Sequence, residues 1–324
     1  MKSNKFLLVT TLIVAVGSLS FVQATTNWQQ IDATGLFSVH NTTTQSSRDI
    51  PTELFAYDST KPFQLKELSK QEQAGVVIAD VEYASYSAKR GPIKAYLVSP
   101  AKKGSFAGVL FFHWLGRPKG DRTQFLDEAI SLAKQGTVSL LIQGHFPWQV
   151  DPSEGVTDRQ LIIDETIEVR RALDLLLSQP MVDRRRIAYV GHDYGAMYGS
   201  LTAGVEKRVK TYVLIAGLGT FADWSLEYWL NKKPDDFKKQ YVQAMQGLDP
   251  ILSIKRAVPA TLLFQFANLD TYITHDAALA FYRAASSPKQ IKWYQTTHEM
   301  DIEAARVDRR NWLTQKLGLR RLSV

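Results

Sequence analysis

The sequence contains no cysteine among its 324 residues. It therefore has no disulfide, no thiolate nucleophile, no cysteine-held zinc site and no site for lipoprotein-type acylation. Its six histidines never recur at the His-x-x-x-His spacing of a helical zinc site, and neither a Walker-type loop nor a Gly-x-Gly-x-x-Gly fingerprint occurs. We therefore expect neither a metal nor a nucleotide cofactor.

No block of like charge stands out either. Lys and Arg number 39 against 32 Asp and Glu, and the formal net charge of +7 is spread along the whole chain. A mixed surface of this kind gives no electrostatic reason to expect nucleic acid as a partner. Hydrophobic residues make up 45% of the chain and aromatic residues 11%, which is enough to bury one large core in a single domain.

The N-terminal apolar run is too short to span a bilayer. It covers residues 6–16, about eleven residues against the roughly 20 that a membrane helix needs. Lys2 and Lys5 precede it, and Val22 and Ala24 stand at the minus-three and minus-one places that follow it. This order predicts a signal peptide over residues 1–24, cleaved after Ala24. We expect a periplasmic or secreted bacterial protein with no stable membrane insertion after cleavage.

The remaining chain divides into an N-terminal arm and one large domain. Residues 25–75 are rich in Thr, Ser and Gln without a convincing period, which predicts an irregular arm. From residue 76 the domain begins with two alternating segments, 76–83 and 93–98, typical of an antiparallel pair at a sheet edge.

Short, almost wholly apolar runs then alternate with amphipathic helical segments. The apolar runs, which are typical of parallel strands covered on both faces, are 108–112, 138–142, 187–190, 209–215 and 260–266. The helical segments are 123–134, 158–177, 196–205, 275–285 and 301–316. This alternation predicts an α/β fold with a mostly parallel, doubly wound sheet and helices on both faces. Ligands are then expected at the carboxyl ends of the strands.

One connection is much longer than α/β units usually have. About forty residues, 218–258, separate two predicted strands and include Trp224 and Tyr228. We predict that they form a small helical cap over the site. Aromatic residues at this helical spacing are more often a packing stripe than catalytic groups.

The most informative segment is the strand, turn and helix start at residues 187–196. Its turn reads Gly191-His192-Asp193-Tyr194-Gly195, which is the G-x-S-x-G nucleophile elbow with Asp in place of Ser. The two glycines are needed because side chains at these positions would collide with the neighbouring strand and helix. The turn therefore presents the carboxylate of Asp193 at the end of a strand.

On these residues, the chain from about residue 76 resembles the α/β-hydrolase superfamily and is most similar to its dienelactone-hydrolase-like branch. The Asp at the elbow is instead similar to haloalkane dehalogenases and epoxide hydrolases, whose Asp attacks a saturated carbon. The resemblance implies an α/β-hydrolase fold over residues 76–324, with the cap insert at about 218–258, and hydrolytic activity on a small-molecule substrate.

Two further residues follow predicted strand ends in the order that this fold requires. Asp270 comes after strand 260–266, and His298 follows the short strand 291–294. The order Asp193, Asp270, His298 is that of nucleophile, acid and histidine, so the resemblance implies that Asp270 orients His298 and that His298 activates water. We expect His275 and Asp276, which lie nearby in sequence, to cap the helix that they begin.

The loop after the strand 108–112 reads His113-Trp114-Leu115-Gly116, where the superfamily commonly has His-Gly before the oxyanion-hole residue. By this resemblance the backbone amides of Leu115 and Tyr194 form the anion-binding pair. Trp114 departs from the pattern, and its indole either fills part of the pocket or packs on helix 123–134. The residues that we expect to line the pocket are His113, Trp114, Trp148, Trp224 and Tyr228.

The chemistry of a carboxylate nucleophile favours particular reactions. Attack of Asp193 on an ester or lactone carbonyl gives a high-energy mixed anhydride, whereas attack on an epoxide or a carbon–halogen bond gives an ordinary ester that water hydrolyses. Three alternatives stay open: Asp193 as a general base, a catalytically degenerate binding protein of the cell envelope, and a serine esterase that uses Ser200, two helical turns beyond the elbow. A cap tyrosine such as Tyr228 would serve as the acid on an epoxide oxygen.

Overall fold

A computed structural model describes residues 51–87, 90–116, 119–146 and 155–320. These residues lie in one compact unit, Ser47–Val324. The predicted signal peptide, most of the predicted arm and Trp148 lie outside the described residues. Within the described part of the chain, no helix has the length and apolar character to cross a membrane.

In the residues that the structure describes, nine strands form one mixed sheet in the order β1-β2-β3-β5-β4-β6-β7-β8-β9. The first three strands pair antiparallel, and β3 pairs antiparallel with β5. All pairs from β5 through β4 to β9 are parallel, which confirms the prediction of a mostly parallel sheet. The strands are β1 Lys66–Gln73, β2 Val76–Tyr83, β3 Ile93–Pro100, β4 Phe106–Phe112, β5 Thr137–Ile142, β6 Val182–His192, β7 Thr211–Ile215, β8 Thr261–Ala267 and β9 Lys289–Tyr294.

Helices cover both faces of this sheet. α1 and α8 pack on one face, and α2 and α3 pack on the other. The helices are α1 Leu126–Gln135, α2 Gly155–Leu177, α3 Tyr194–Val205, α4 Phe221–Tyr228, α5 Asp235–Ala244, α6 Pro250–Ser253, α7 His275–Ala284 and α8 Glu303–Leu317. The central strands β4, β5 and β7 are buried along their whole length, which explains their continuous apolar sequences.

The N-terminal part of the sheet differs from the prediction. β1 lies within the predicted irregular arm and forms the sheet edge, so β2 and β3 are not an edge pair. Every residue of β1 is exposed, and its sequence therefore has no apolar alternation from which a strand is recognised. Its backbone pairing with β2 across the turn at Ala74 and Gly75, both at positive φ, explains the strand.

The insert at 218–258 contains three helices with different partners. α4 contributes Trp224 and Tyr228 to a pocket at the carboxyl edge of the sheet, whereas α5 packs on α2 and α6 packs on α3. Among the described residues, α4 and Trp229 at its end are therefore the only part of the insert that lines this pocket.

The strand order places the site. β4 is flanked by β5 on one side and β6 on the other, so the connections that leave β4 and β6 run to opposite faces and open a crevice between them. The loop 113–116 leaves β4 and the elbow leaves β6 at this crevice. The sheet topology thus brings the two predicted site segments together.

Candidate active site

The elbow holds Asp193 in a strained conformation. Its φ is 54° and its ψ is −115°, a region that residues with a Cβ rarely occupy. A Cβ on Gly191 would lie 2.2 Å from the carbonyl oxygen of Gly195, and one on Gly195 would lie 2.3 Å from that of Phe112. Both glycines are therefore required by close backbone approach, as the sequence predicts.

The two carboxylate oxygens of Asp193 have different surroundings. Oδ2 accepts a hydrogen bond of 3.2 Å from the backbone N–H of Leu115. Oδ1 has no hydrogen-bond partner among the described residues and lies 3.7 Å from Nε2 of His298. The side chain is buried, with the residue 3% exposed. One oxygen is thus held by a hydrogen bond, while the other accepts none from the described residues and faces His298.

Asp270 and His298 form the predicted pair. Nδ1 of His298 donates to Oδ2 of Asp270 at 2.8 Å, and Oδ1 of Asp270 accepts from the backbone N–H groups of Tyr272 and Ile273 at 2.8 and 2.9 Å. Asp270 is therefore fixed by its own loop, and it fixes the ring of His298 so that Nε2 faces Asp193.

The charge state of His298 follows from these neighbours. Burial lowers the pKa of its imidazole, but the carboxylates of Asp193 and Asp270 outweigh burial and raise the pKa to about 9. The resting site therefore contains an imidazolium between two carboxylates at neutral pH. Aromatic rings also surround it, with the centroids of Tyr272, Trp224 and Trp114 at 5.0, 5.8 and 6.1 Å.

A cavity of about 290 Å³ opens in front of Asp193. This volume lies at the small end of ligand-binding cavities. Its lining is mainly aromatic and consists of Trp114, Leu115, Gly116, Asp193, Tyr194, Trp224, Tyr228, Trp229, Tyr272, His298 and Glu299. The cavity therefore suits a small substrate with an apolar body that presents one reactive atom to Asp193.

Several predicted pocket residues lie where we expect them. Trp114, Trp224 and Tyr228 all line the cavity. The indole of Trp114 also stacks on the ring of His192, with centroids 5.1 Å apart and planes inclined by 6°. This stacking partner was not among the two placements predicted for Trp114.

The prediction that His113 lines the pocket is wrong. Its ring is 1% exposed; Nδ1 bonds the carbonyl of Trp114 at 2.6 Å, and Nε2 accepts from the backbone N–H of Gly144 at 2.9 Å. Burial lowers its pKa to about 4, so the ring is neutral. The chain turns immediately after β4, and this points His113 into the protein, where it fixes the loop.

His275 and Asp276 do not cap α7. The cap is Thr274, whose hydroxyl accepts from the backbone N–H of Ala277 at 3.2 Å. His275 is the first helical residue and stacks on Trp293 at 4.2 Å. Capping by His275 would require the helix to begin at Asp276. The helix begins at His275 instead, because Thr274 has the extended backbone of a cap.

Ser200 does not resemble a nucleophile in its surroundings. Its hydroxyl is buried and donates to the carbonyl of Ala196 at 2.8 Å, one turn earlier in α3. Tyr228 is likewise engaged, since its hydroxyl donates to the backbone carbonyl of Tyr272 at 2.8 Å. Neither hydroxyl therefore faces a reacting group in this structure.

Sequence reasoning missed several residues at the site. Tyr272, Trp229 and Glu299 line the cavity, and their positions within two residues of Asp270, Tyr228 and His298 were the available signal. No cluster of His, Asp or Glu with the geometry of a metal site occurs in the part of the chain that the structure describes.

Comparison with known proteins gives structural similarity without sequence similarity. No protein-family model matches the chain, and no curated protein matches its sequence. An acetyl xylan esterase from Paenibacillus sp. R4 superposes with a TM-score of 0.66 at 19% identity, covering 82% of this chain and 92% of the esterase.

Two other solved structures are similar to a comparable degree. Acetyl xylan esterase 1 from Thermoanaerobacterium sp. has a TM-score of 0.63 at 15% identity and covers 82% of this chain and 95% of its own. An S-formylglutathione hydrolase from Agrobacterium tumefaciens has a TM-score of 0.60 at 14% identity, covering 78% of this chain and 100% of the hydrolase. With the sheet topology and the elbow, these matches show that the chain has the α/β-hydrolase fold.

Proposed function

We propose that this protein is a hydrolase in which Asp193 attacks a saturated carbon and forms a covalent alkyl-enzyme ester. The observation that carries the proposal is the asymmetry of the Asp193 carboxylate. Oδ2 is held by the N–H of Leu115, whereas Oδ1 accepts no hydrogen bond from the described residues and lies 3.7 Å from Nε2 of His298, and Asp193 itself lines the cavity. A nucleophile needs one such free oxygen within reach of a bound substrate.

In the first step, a lone pair on Oδ1 forms the new carbon–oxygen bond. The bond between that carbon and the leaving group breaks, and its electron pair departs with the leaving group. The imidazolium of His298 lies close by and balances developing negative charge. The product of this step is an ordinary carboxylic ester of Asp193.

Before the second step, the imidazolium of His298 releases its proton to solvent, because alkylation of Asp193 has removed one of the two carboxylate charges that held the proton. The neutral ring then takes a proton from water, and the resulting hydroxide attacks Cγ of Asp193. The negative charge that develops on Oδ2 is stabilised by the N–H of Leu115, which already contacts this atom at 3.2 Å. Collapse of this intermediate expels the alkoxide, which takes the proton from His298 and leaves as the alcohol. Asp193 is left as a carboxylic acid, and transfer of its proton to His298 regenerates the carboxylate and the imidazolium. Asp270 holds the ring of His298 throughout.

The leaving group is one that departs as a stable anion, such as a halide. An epoxide needs a proton donor at its oxygen, and the Tyr228 hydroxyl already donates to the carbonyl of Tyr272. Ester or lactone hydrolysis through Asp193 would require a mixed anhydride. We therefore place carbon–halogen bonds of small apolar substrates first, then epoxides, with esters last.

The cavity supports the proposed partner, and the N-terminal sequence pattern supports the proposed place of action. The partner is the small-molecule substrate alone. We propose export to the periplasm or the medium on the N-terminal sequence pattern of residues 1–24. Size of the mature chain by mass spectrometry after expression with the full leader tests this point, since cleavage after Ala24 leaves Thr25 as the first residue.

Trapping the ester in a His298→Phe variant tests the proposed function. Phe fits the aromatic surroundings of this ring but lacks the nitrogen that activates water. With haloalkanes and epoxides, we expect a stoichiometric adduct on the peptide that contains Asp193 and loss of turnover. The control Asp193→Asn/His298→Phe should form no adduct.

The outcomes separate the alternatives. Turnover by the unmodified protein without any adduct in His298→Phe would contradict the covalent mechanism and favour Asp193 as a general base. A protein that turns over no haloalkane, epoxide or ester, yet binds a ligand tightly, would be the catalytically degenerate binding protein.

A further inference from the structure

We propose that His192, the residue between Gly191 and Asp193, is a positioning residue that holds the catalytic loop of His298. The inference rests on the hydrolytic role proposed for His298 and extends it to the loop that carries this histidine. His192 is the last residue of β6 and is 1% exposed. Its side chain is not among those that line the cavity in front of Asp193, so it acts through other residues and not on the substrate.

Both ring nitrogens of His192 are engaged. Nε2 lies 2.9 Å from the backbone carbonyl oxygen of His298, and Nδ1 lies 2.6 Å from the side-chain nitrogen of Gln124. A carbonyl oxygen only accepts, so Nε2 carries the hydrogen and donates to it. His192 is thus bonded to the main chain of the residue that supplies the base.

Gln124 fixes this tautomer from the other side. Its Oε1 accepts from the backbone N–H of Trp114 at 3.0 Å, which leaves its amide nitrogen facing Nδ1 of His192 as a donor. The hydrogen bonds therefore run in one direction, from the Gln124 amide to His192 and from His192 to His298. Because each partner can play only one role, the tautomer of His192 is determined by the network.

Trp114 completes the connection. Its indole stacks on His192, and its backbone N–H donates to Gln124. The backbone N–H of the next residue, Leu115, donates to Asp193. The loop after β4 and the loop after β9 are consequently tied to one side chain of the elbow. This gives a physical reason for an indole where the superfamily commonly has glycine, because glycine would leave the face of His192 uncovered.

The charge state of His192 suits this role. Burial, together with the nearby His298 and Arg309, lowers the pKa of His192 well below its usual value, against the opposing hydrogen bond to the His298 carbonyl. A neutral ring donates one hydrogen bond without adding positive charge beside the imidazolium of His298, whose ring centroid is 5.6 Å away. The neutral His192 ring therefore holds the loop by a hydrogen bond without repelling the positive charge of His298.

Two substitutions at this position separate positioning from packing. His192→Phe keeps the ring that stacks on Trp114 and removes both hydrogen bonds. His192→Gln places an amide N–H as many bonds from Cβ as Nε2 and so retains the donor to the His298 carbonyl. The control is His275→Phe, the same change at an exposed histidine that stacks on Trp293 outside the cavity.

The first readout is the pH titration of the His298 ring, monitored by NMR in the folded variants. This measurement needs no substrate. In His192→Phe the loop is no longer held, the imidazolium moves away from its carboxylates, and we expect the midpoint to fall from about 9 toward neutral pH. His192→Gln and the His275→Phe control should keep the original midpoint. An unchanged midpoint in a folded His192→Phe protein would overturn the inference.

The second readout is kinetic and uses whichever substrate the covalent adduct identifies. We expect His192→Phe to lower kcat about 10- to 100-fold with KM within about twofold, because outer-shell partners of catalytic groups commonly have effects of this size. His192→Gln should recover most of this loss. Equal losses in both variants would indicate packing alone and contradict the inference.

A third measurement keeps the test independent of both folding and activity. The ¹⁵N spectrum of the unmodified protein should show His192 as the neutral tautomer that carries hydrogen on Nε2, and hydrogen on Nδ1 would overturn the proposal. If no substrate is ever found, the proposed hydrolysis fails while the titration and the tautomer still decide the role of His192.

Discussion

The backbone N–H of Leu115 donates to Oδ2 of Asp193 at 3.2 Å, so the predicted anion-binding amide already contacts the predicted nucleophile. In an elbow with serine, such an amide donates to the oxyanion that develops on the substrate. Here the oxygen that becomes an oxyanion during hydrolysis of the proposed alkyl ester belongs to Asp193 itself. The hydrogen bond therefore prepares the site for the second chemical step before substrate arrives.

The pH dependence of that second step follows from the charges around His298. Alkylation of Asp193 removes one of the two negative charges that raise the pKa of His298 to about 9, so the pKa falls in the alkyl-enzyme. The base must be deprotonated to activate water. We expect the rate of ester hydrolysis to rise with pH and to level off with a midpoint below 9, measured by single-turnover quench experiments.

A hydrolysis rate that is independent of pH between 6 and 10 would mean that His298 is not the base for this step. The matched control is Asp236→Asn, which removes a carboxylate whose side chain is 90% exposed on α5. It should leave the midpoint in place, because exposed charges are strongly screened by solvent.

Backbone strain at Asp193 gives a second expectation. We expect Asp193→Gly to be more stable than Asp193→Ala by about 1 kcal/mol, because only glycine adopts a φ of 54° with a ψ of −115° without strain. Both variants lack the carboxylate, so their comparison isolates the backbone. Urea unfolding of the two proteins measures the difference, and an Ala variant of equal or greater stability would show that the elbow is unstrained.

Stability should also fall in mild acid because of His113. Burial lowers its folded pKa to about 4 from 6.5, so the unfolded chain binds a proton in this interval and the folded protein does not. The contribution of His113 to the free energy of unfolding is complete above pH 6.5 and is lost as the pH falls toward 4. The loss is about 3 kcal/mol, because a shift of one pKa unit corresponds to about 1.4 kcal/mol.

The comparison variant for this effect is His113→Asn. Asn retains a donor toward the carbonyl of Trp114 but does not titrate between pH 7 and 4. Its free energy of unfolding should depend less steeply on pH in this range than that of the unmodified protein. Identical pH profiles would show that His113 contributes nothing to acid sensitivity.

Much of the fold was predictable because burial leaves a direct mark on sequence. β4, β5 and β7 are buried throughout, so their apolar runs predict a parallel sheet, and the glycines around Asp193 predict the elbow. β1 was missed because its exposed side chains carry no pattern, and its pairing depends on the backbone alone.

The site shows the same contrast. Asp193, Asp270 and His298 follow strand ends, so chain order suffices to predict that they meet. The roles of Gln124, His192 and His113 depend on which ring nitrogen faces which backbone group. Sequence spacing contains no information on such orientations, and Gln124 in particular lies just before α1 with nothing to distinguish it from a surface residue.

The most direct test of Asp193 as the nucleophile is one turnover in oxygen-18 water, with excess enzyme over a haloalkane substrate. Mass analysis then compares the Asp193 peptide with the alcohol product. We expect the label in the Asp193 carboxylate and an unlabelled oxygen in the alcohol, because water attacks Cγ of the ester. Label in the alcohol with none in Asp193 would contradict the covalent mechanism and show that water attacks the substrate directly.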